Sequence, residues 1–298
     1  MDIYRRVSSF YFLFILFLII PASALGVTVT NTNDSGPGSL RQAVLDTPPG
    51  GVVDFDPSLA GSTITLLSEI QIIQDVTIQG LGADVLTISG GGATRIFLIL
   101  SPASLVNISD LTLIRGNGAG LAPNLGGAIL VSGNVAVEIN RCVFDSNGVT
   151  GSSAQGGAIV IAGDIRDIII NDTTFSNNFA IGSGTSLSGA IEYSGTNGNI
   201  EINRCTFNNN RAASNAPSNG QAFAGAIGIF GEANTMVVTN STFSENSAEC
   251  GSDCTSGGGA LFLDGGDSSF ILNNNTFSNN SASCSSDCIV IGDTITSD

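Results

Sequence analysis

Two short motifs alternate along this chain at a nearly constant interval, and the interval leaves few folds open. The first is a Gly-Ala unit followed by an apolar residue: Gly126-Gly127-Ala128-Ile129, Gly156-Gly157-Ala158-Ile159, Ser188-Gly189-Ala190-Ile191, Ala224-Gly225-Ala226-Ile227 and Gly258-Gly259-Ala260-Leu261. The second is Phe-x-x-Asn, from Phe144 to Asn147, Phe175 to Asn178, Phe207 to Asn210, Phe243 to Asn246 and Phe277 to Asn280. The phenylalanines lie 31, 32, 36 and 34 residues apart. Each repeat holds two or three short β-rich runs, such as 139–144 and 200–207, with Gly, Asn, Ser and Asp between them. Turn residues at that density, with no helical periodicity of useful length after residue 60, point to a solenoid of short strands. A propeller blade needs about 40 residues and four strands, and fits worse.

The expected fold is therefore all-β: a right-handed parallel β-helix. Equivalent residues on successive coils then sit about 4.8 Å apart. Phe144, Phe175, Phe207, Phe243 and Phe277 would form one inward ladder, and Asn147, Asn178, Asn210, Asn246 and Asn280 a second ladder at a turn. Aromatic rings fill a narrow core, and stacked amides can hydrogen-bond from coil to coil. The Gly-Ala pairs mark sharp bends or close backbone approaches.

Ahead of the repeats, Ser39-Leu40-Arg41-Gln42 is a capping-box pattern that opens a short helix reaching about Asp46, stopped by Pro48 and Pro49. Such a helix would cap the open edge of the first coil. Residues 25–60 read as this N-terminal cap with the first strands, and residues 61–298 as the coils, with the motif repeats at 126–280. Strand runs without the motifs occur at 64–67, 76–78, 85–88 and 96–100.

The first 24 residues have another character. Arg5 and Arg6 precede an apolar run from Phe10 to Ile20, followed by Pro21 and Ala22-Ser23-Ala24. Basic, apolar and small residues in that order describe a secretory signal peptide cleaved after Ala24. The run is short of the roughly 20 residues that a membrane span needs. The protein is expected to be exported, extracellular or attached to a cell surface, with no transmembrane segment in the mature chain.

The formal net charge is −16, with nine arginines and no lysine, histidine or tryptophan. A chain so acidic repels nucleic acid and anionic lipid.

The alternating Gly-Gly-Ala-Ile and Phe-x-x-Asn units over residues 126–280 resemble the repeats of the polymorphic outer membrane proteins, surface autotransporters of chlamydiae. The stretch Asn33-Asp34-Ser35-Gly36-Pro37-Gly38-Ser39-Leu40-Arg41-Gln42-Ala43 also looks like the opening of bacterial exported β-helix proteins. The resemblance implies a parallel β-helix at the cell surface, often in adhesion. The chain departs from that family in reaching Asp298 without a C-terminal membrane barrel. Anchoring by a barrel of its own is not expected.

Parallel β-helices also host polysaccharide lyases and hydrolases of the pectate-lyase-like type, so an enzyme working through acidic residues in a groove is the rival reading. Lysine and histidine are missing as bases for a lyase. Arg141 and Arg204 occupy equivalent repeat positions. Asp145, Asp164, Asp167 and Asp172 are close in sequence but follow no one family's catalytic pattern, and read as solvated turn acids. No catalytic residue, metal or cofactor is assigned. Acidic and Asn-rich turns offer oxygen ligands for calcium, but neither an EF-hand loop nor a glycine-aspartate nonapeptide is present.

The six cysteines form two sets. Cys142 and Cys205 hold one repeat position, two coils and about 9.5 Å apart, too far for a bridge. They read as small core residues. Cys250, Cys254, Cys284 and Cys288 come in two pairs, each starting seven residues after its phenylalanine. Disulfides are expected to brace the C-terminal coils, with local bridges (Cys250 to Cys254, Cys284 to Cys288) competing with cross-coil ones (Cys250 to Cys284, Cys254 to Cys288). A zinc site is a third reading, which export disfavours.

Repeat length varies only after Phe-x-x-Asn, in segments 148–155, 179–187, 211–223 and 247–257. Insertions confined to one side of a solenoid commonly make its binding face. Arg211 and Phe223 in the longest segment, with Tyr193, the lone aromatic of the mature chain that carries a hydroxyl, are the candidate binding residues. The expected function is non-catalytic: adhesion to, or binding of, a surface or polymer, with a host-cell or extracellular glycan or protein as partner. Only 289–291 can begin a strand beyond the last motif, so that open end is expected to be braced by cysteines, covered by a partner, or left over from a shortened gene.

Overall fold

The computed structural model describes residues 26–164, 167–232, 234–264, 266–286 and 289–291. The signal peptide expected at residues 1–24, and Cys288, lie outside them.

Every strand pairing is parallel, and the strands that pair are one coil apart in sequence. A first sheet runs through nine strands, from Gly26–Val29 by way of Ala136–Asn140 to Ser269–Asn273. A second has eight, from Thr63–Thr65 by way of Val143–Asp145 to Thr276–Ser278. A third has seven, from Ile70–Ile72 to Leu261–Leu263. Alternation along each strand sends every second side chain inward, so the core consists of columns. In the first sheet Ile108, Ile139, Ile170, Ile202 and Val238 lie in register, all buried. In the second, Ile64, Ile88 and Leu113 lead into Phe144, Phe175, Phe207, Phe243 and Phe277. Successive rings of that ladder are 4.8–4.9 Å apart and within 9° of parallel. Each buried ring contributes roughly 1.5–3 kcal/mol. Coil rise, rather than the edge-to-face preference of free pairs, sets their geometry.

Three columns of left-handed backbone turn the chain from sheet to sheet. Asp110, Arg141, Asp172, Arg204, Asn240 and Asn274 all have φ between 50° and 60° and separate the first sheet from the second. The runs 139–144 and 200–207 are therefore each two strands with a corner between them. A second column, Ser146, Asn177, Asn209, Glu245 and Asn279, precedes the ladder asparagines. The third opens the Gly-Ala unit: Gly126, Gly156, Ser188, Ala224 and Gly258. The next residue in the unit is glycine for a steric reason. A Cβ on Gly127, Gly157, Gly189 or Gly225 would lie 2.0–2.1 Å from the carbonyl oxygen of the glycine one coil on.

The asparagine column is buried from Asn147 to Asn246, half-buried at Asn280, and bonded from coil to coil. Asn178 Oδ1 accepts from both the backbone N–H and the Nδ2 of Asn147, while Asn178 Nδ2 donates to the Phe144 carbonyl. The pattern recurs at Asn210, Asn246 and Asn280. The side chain supplies the ladder bonds that the backbone forgoes at the corner.

The segments of variable length are not loops. Gly148–Gln155, Phe179–Leu187, Arg211–Ser214 with Gln221–Phe223, and Ser247–Ser252 with Thr255–Gly257 stack in parallel as a fourth sheet. Each runs outward and doubles back, as the bond from the Gly182 N–H to Ser186 Oγ (2.7 Å) shows. Val149, Ala154 and Ala180 pack between the two arms. Only small side chains fit there: Ser186, Ala212, Ala222, Ala248 and Ser256 are also buried. The result is a thin fin along one corner of the helix. Extra residues in the longest segment sit at its tip, between Ser214 and Gln221.

Both ends of the stack differ from its middle. Helix α1 (Leu40–Asp46) buries Leu40, Ala43 and Val44 against the first strands. Ser39 caps it, accepting from the Gln42 N–H. The Gln42 side chain turns instead to Asp46, so half of the capping box forms. The fin begins at residues 116–126, held by Arg95. That fully buried guanidinium donates to the carbonyls of Gly118, Leu121, Ala122, Leu125 and Gly126 and pairs with Glu69. At the other end Phe270, Leu272 and Phe277 are only partly buried.

Candidate binding surface

The outward positions of the second sheet form the most regular surface among the described residues. One column reads Thr63, Thr87 and Thr112, is interrupted by Val143, and continues as Thr174, Thr206, Thr242 and Thr276. The second, two residues on, carries Asp145, Ser176, Asn208, Ser244 and Ser278 in its later coils. The two columns use their polar atoms differently. Ser176 Oγ donates to Asp145, and Asn208 Nδ2 donates to Ser244 Oγ, so the second column bonds to itself. The hydroxyls of Thr174, Thr206, Thr242 and Thr276 bond to no described protein group and point to solvent. The nearly parallel phenylalanines beneath keep this wall flat.

Charges flank the wall instead of entering it. Arg141 holds Asp110 through two bonds of 2.7 Å, and Arg204 holds Asp172 at 2.6 and 2.8 Å. All four residues belong to one corner column, so opposite charges stack along the axis. The hydrogen bonds from Arg141 and Arg204 hold the Asp110 and Asp172 carboxyls below the usual carboxylate range. Burial acts to raise Asp145, but bonds from Ser176, Asn177 and Ser146 outweigh it and lower that carboxyl too. Asp145, Asp164 and Asp172 therefore do not converge: Asp164 bonds to Thr196, on another face.

The candidate binding residues are not brought together. Arg211 lies at the base of the outgoing arm of the fin and pairs with Glu249 (2.9 Å). Phe223 ends the returning arm, its ring 4.5 Å from Phe262. Tyr193 is a correction. It is fully buried, in the inward column of the third sheet between Ile161 and Ile229, where burial pushes its hydroxyl up to about 12. It presents nothing to a ligand.

The cysteines divide as their spacing suggests. Cys142 and Cys205 are free and buried, and burial pushes their thiols up to about 12 and about 11. Cys250 and Cys254 form a disulfide across the tip of the fin, the local pairing. Cys284, in register with Cys250, is disulfide-bonded as well.

Two other features were not legible in the sequence. Arg41, Leu45, Leu67, Glu69 and Leu121 line an open groove of about 680 Å³ beside the cap. Its polar groups are already engaged: Arg41 by Asp34 and the carbonyls of Ser68 and Glu69, and Glu69 by Arg95 and the Leu121 N–H. The second is Glu192. It lies in the covered outer column of the third sheet, in register with Val160 and Gly228, and is almost wholly buried. Its Oε2 has no hydrogen-bond partner, and burial alone pushes its carboxyl up to about 8.

By its own strand register the chain is a parallel β-solenoid with one short N-terminal helix. No protein-family model matches it, and no curated protein matches it. Among solved structures it is similar to an alginate lyase of the PL6 family, AlyGC, determined as an arginine-to-alanine mutant. The TM-score is 0.41 at 10% identity, over 89% of this chain and 39% of that one. The chain thus spans about two-fifths of that structure's length.

Proposed function

We propose that this is an exported, non-catalytic β-helix that binds an extended polymer or surface through the threonine wall of its second sheet. The observation that carries the reading is the run of outward hydroxyls in one column, unengaged by the described protein groups on the four successive coils of Thr174, Thr206, Thr242 and Thr276. An extended partner meets the same group at each step, and weak contacts add along the axis. The arginine-bound carboxylates support it further, since they are spent in paired columns rather than gathered in a cleft.

A glycan array run beside a polysaccharide-degradation screen tests the reading. Retention of a polymer without release of reducing sugar is the expected result. Chain cleavage lost on replacing a carboxylate would overturn it in favour of an acidic-groove polysaccharide enzyme.

A further inference from the structure

The wall supports a statement about the class of ligand, one that rests on the binding role just given. Its coils rise 4.8 Å apart and its two columns lie about 6.7 Å apart along the strand, so it is a flat rectangular lattice. The four coils with free threonine hydroxyls make it about 14 Å long. Its later coils carry one carboxylate, Asp145, and no cation. An acidic polymer would find nothing there to neutralise it, and the net charge of −16 would repel it.

The character of the contact narrows the class further. The wall displays no aromatic ring, so a single sugar has no platform to stack on. Each threonine offers one hydroxyl and one methyl group, and a hydroxyl contact made in water is weak. A flexible oligosaccharide would have to be ordered to satisfy several such contacts, which cancels much of the gain. A rigid solid whose hydroxyls already repeat has no such ordering cost, and many contacts form together.

We infer that the threonine wall recognises the ordered surface of a neutral, hydroxyl-rich solid polysaccharide in preference to soluble chains or acidic gels. Thr174, Thr206 and Thr242 sit at its centre. Valine keeps their shape and strand preference while removing the hydroxyl, so it separates binding from folding.

The test is pull-down of the full chain on microcrystalline cellulose, on acid-swollen amorphous cellulose and on a calcium polygalacturonate gel. The T174V/T206V/T242V variant runs in parallel, and thermal unfolding is recorded for both proteins. The expected result is retention on the crystalline solid, at least tenfold weaker on the amorphous one and absent on the gel. Soluble cello-oligosaccharides at millimolar concentration should not compete. The triple variant should bind at least tenfold more weakly with its midpoint within about 2 °C. Equal retention by the variant would place binding elsewhere and overturn the inference. Retention on the gel alone would overturn the neutral-lattice inference while leaving polymer binding in place. Retention on none of the three solids would overturn the inference; glycan-array silence as well would remove the broader reading.

Discussion

The side-chain oxygen of Asn178 accepts two hydrogen bonds from Asn147, one from the backbone N–H at 3.0 Å and one from Nδ2 at 3.1 Å. Alanine at position 178 strands both donors and leaves the Phe144 carbonyl without its Nδ2 partner. Buried groups left unmade cost about 1–3 kcal/mol each. We predict that Asn178→Ala lowers stability by about 3 kcal/mol or more in urea unfolding. An unchanged midpoint would count against the ladder as a source of stability.

Adjacent residues of one Gly-Ala unit should respond in opposite directions. A Cβ at Gly189 would lie 2.1 Å from the Gly225 carbonyl oxygen and 2.4 Å from the Arg211 nitrogen, both backbone atoms. Gly189→Ala is expected to prevent folding or to cost more than about 4 kcal/mol, the range of severe overpacking and strain. Ser188 has φ of 60° and an unpartnered buried hydroxyl. Ser188→Gly relieves both and should stabilise by about 1 kcal/mol. Equal effects at the two sites, measured by thermal unfolding, would contradict this account.

Glu192 makes stability depend on pH. Its carboxyl holds a proton in the folded state up to about pH 8, against an ordinary value of 4.5 in the free chain. Between those limits the folded state binds more protons than the unfolded one, so stability falls as pH rises through the window, up to tenfold in the equilibrium per pH unit. Asp110, Asp145 and Asp172 have lowered values, and their opposite slopes lie at more acidic pH. Unfolding at pH 5 and pH 8 should show the difference, and Glu192→Gln should remove most of it. A wild-type protein equally stable at both pH values would refute the assignment.

Arg95 closes the starting edge of the fin. With methionine in its place, Glu69 is left as a buried charge without its cation, held only by the Leu121 N–H, and five carbonyls lose the bond from the guanidinium. Breaking a buried pair from one side costs roughly 3–5 kcal/mol. We expect Arg95→Met to speed hydrogen exchange in residues 116–126 and to lower the unfolding midpoint. Protection unchanged in that segment would show that the loop holds without the clamp.

The coil period, the phenylalanine and asparagine columns and the capping helix were legible because each depends on residues that repeat or on a local pattern. The fin was not. Its strands are rich in Gly, Ala and Ser because two arms must pack closely, and that composition imitates loops. Tyr193 looked like a surface aromatic, although Ile191-x-Tyr193 has the alternation of Ile159-x-Ile161 that sends both ends inward. The threonine wall had a signal, a threonine directly before Phe175, Phe207, Phe243 and Phe277, overshadowed by the phenylalanines themselves. The Arg95 clamp had none, since its partners are mostly backbone carbonyls 23 to 31 residues away.

The asparagine ladder also has a direction. The donors of Asn147 find their acceptor on Asn178, and those of Asn178 on Asn210. The backbone N–H of each corner asparagine is therefore satisfied by the turn made after it, while its Nδ2 also reaches back to a carbonyl of the turn before. A chain emerging from its N-terminus would carry at its growing end a coil already shaped by its predecessor and waiting for its successor. Assembly by this logic is vectorial: the helix-capped end acts as a seed, and every finished turn is a template for the next.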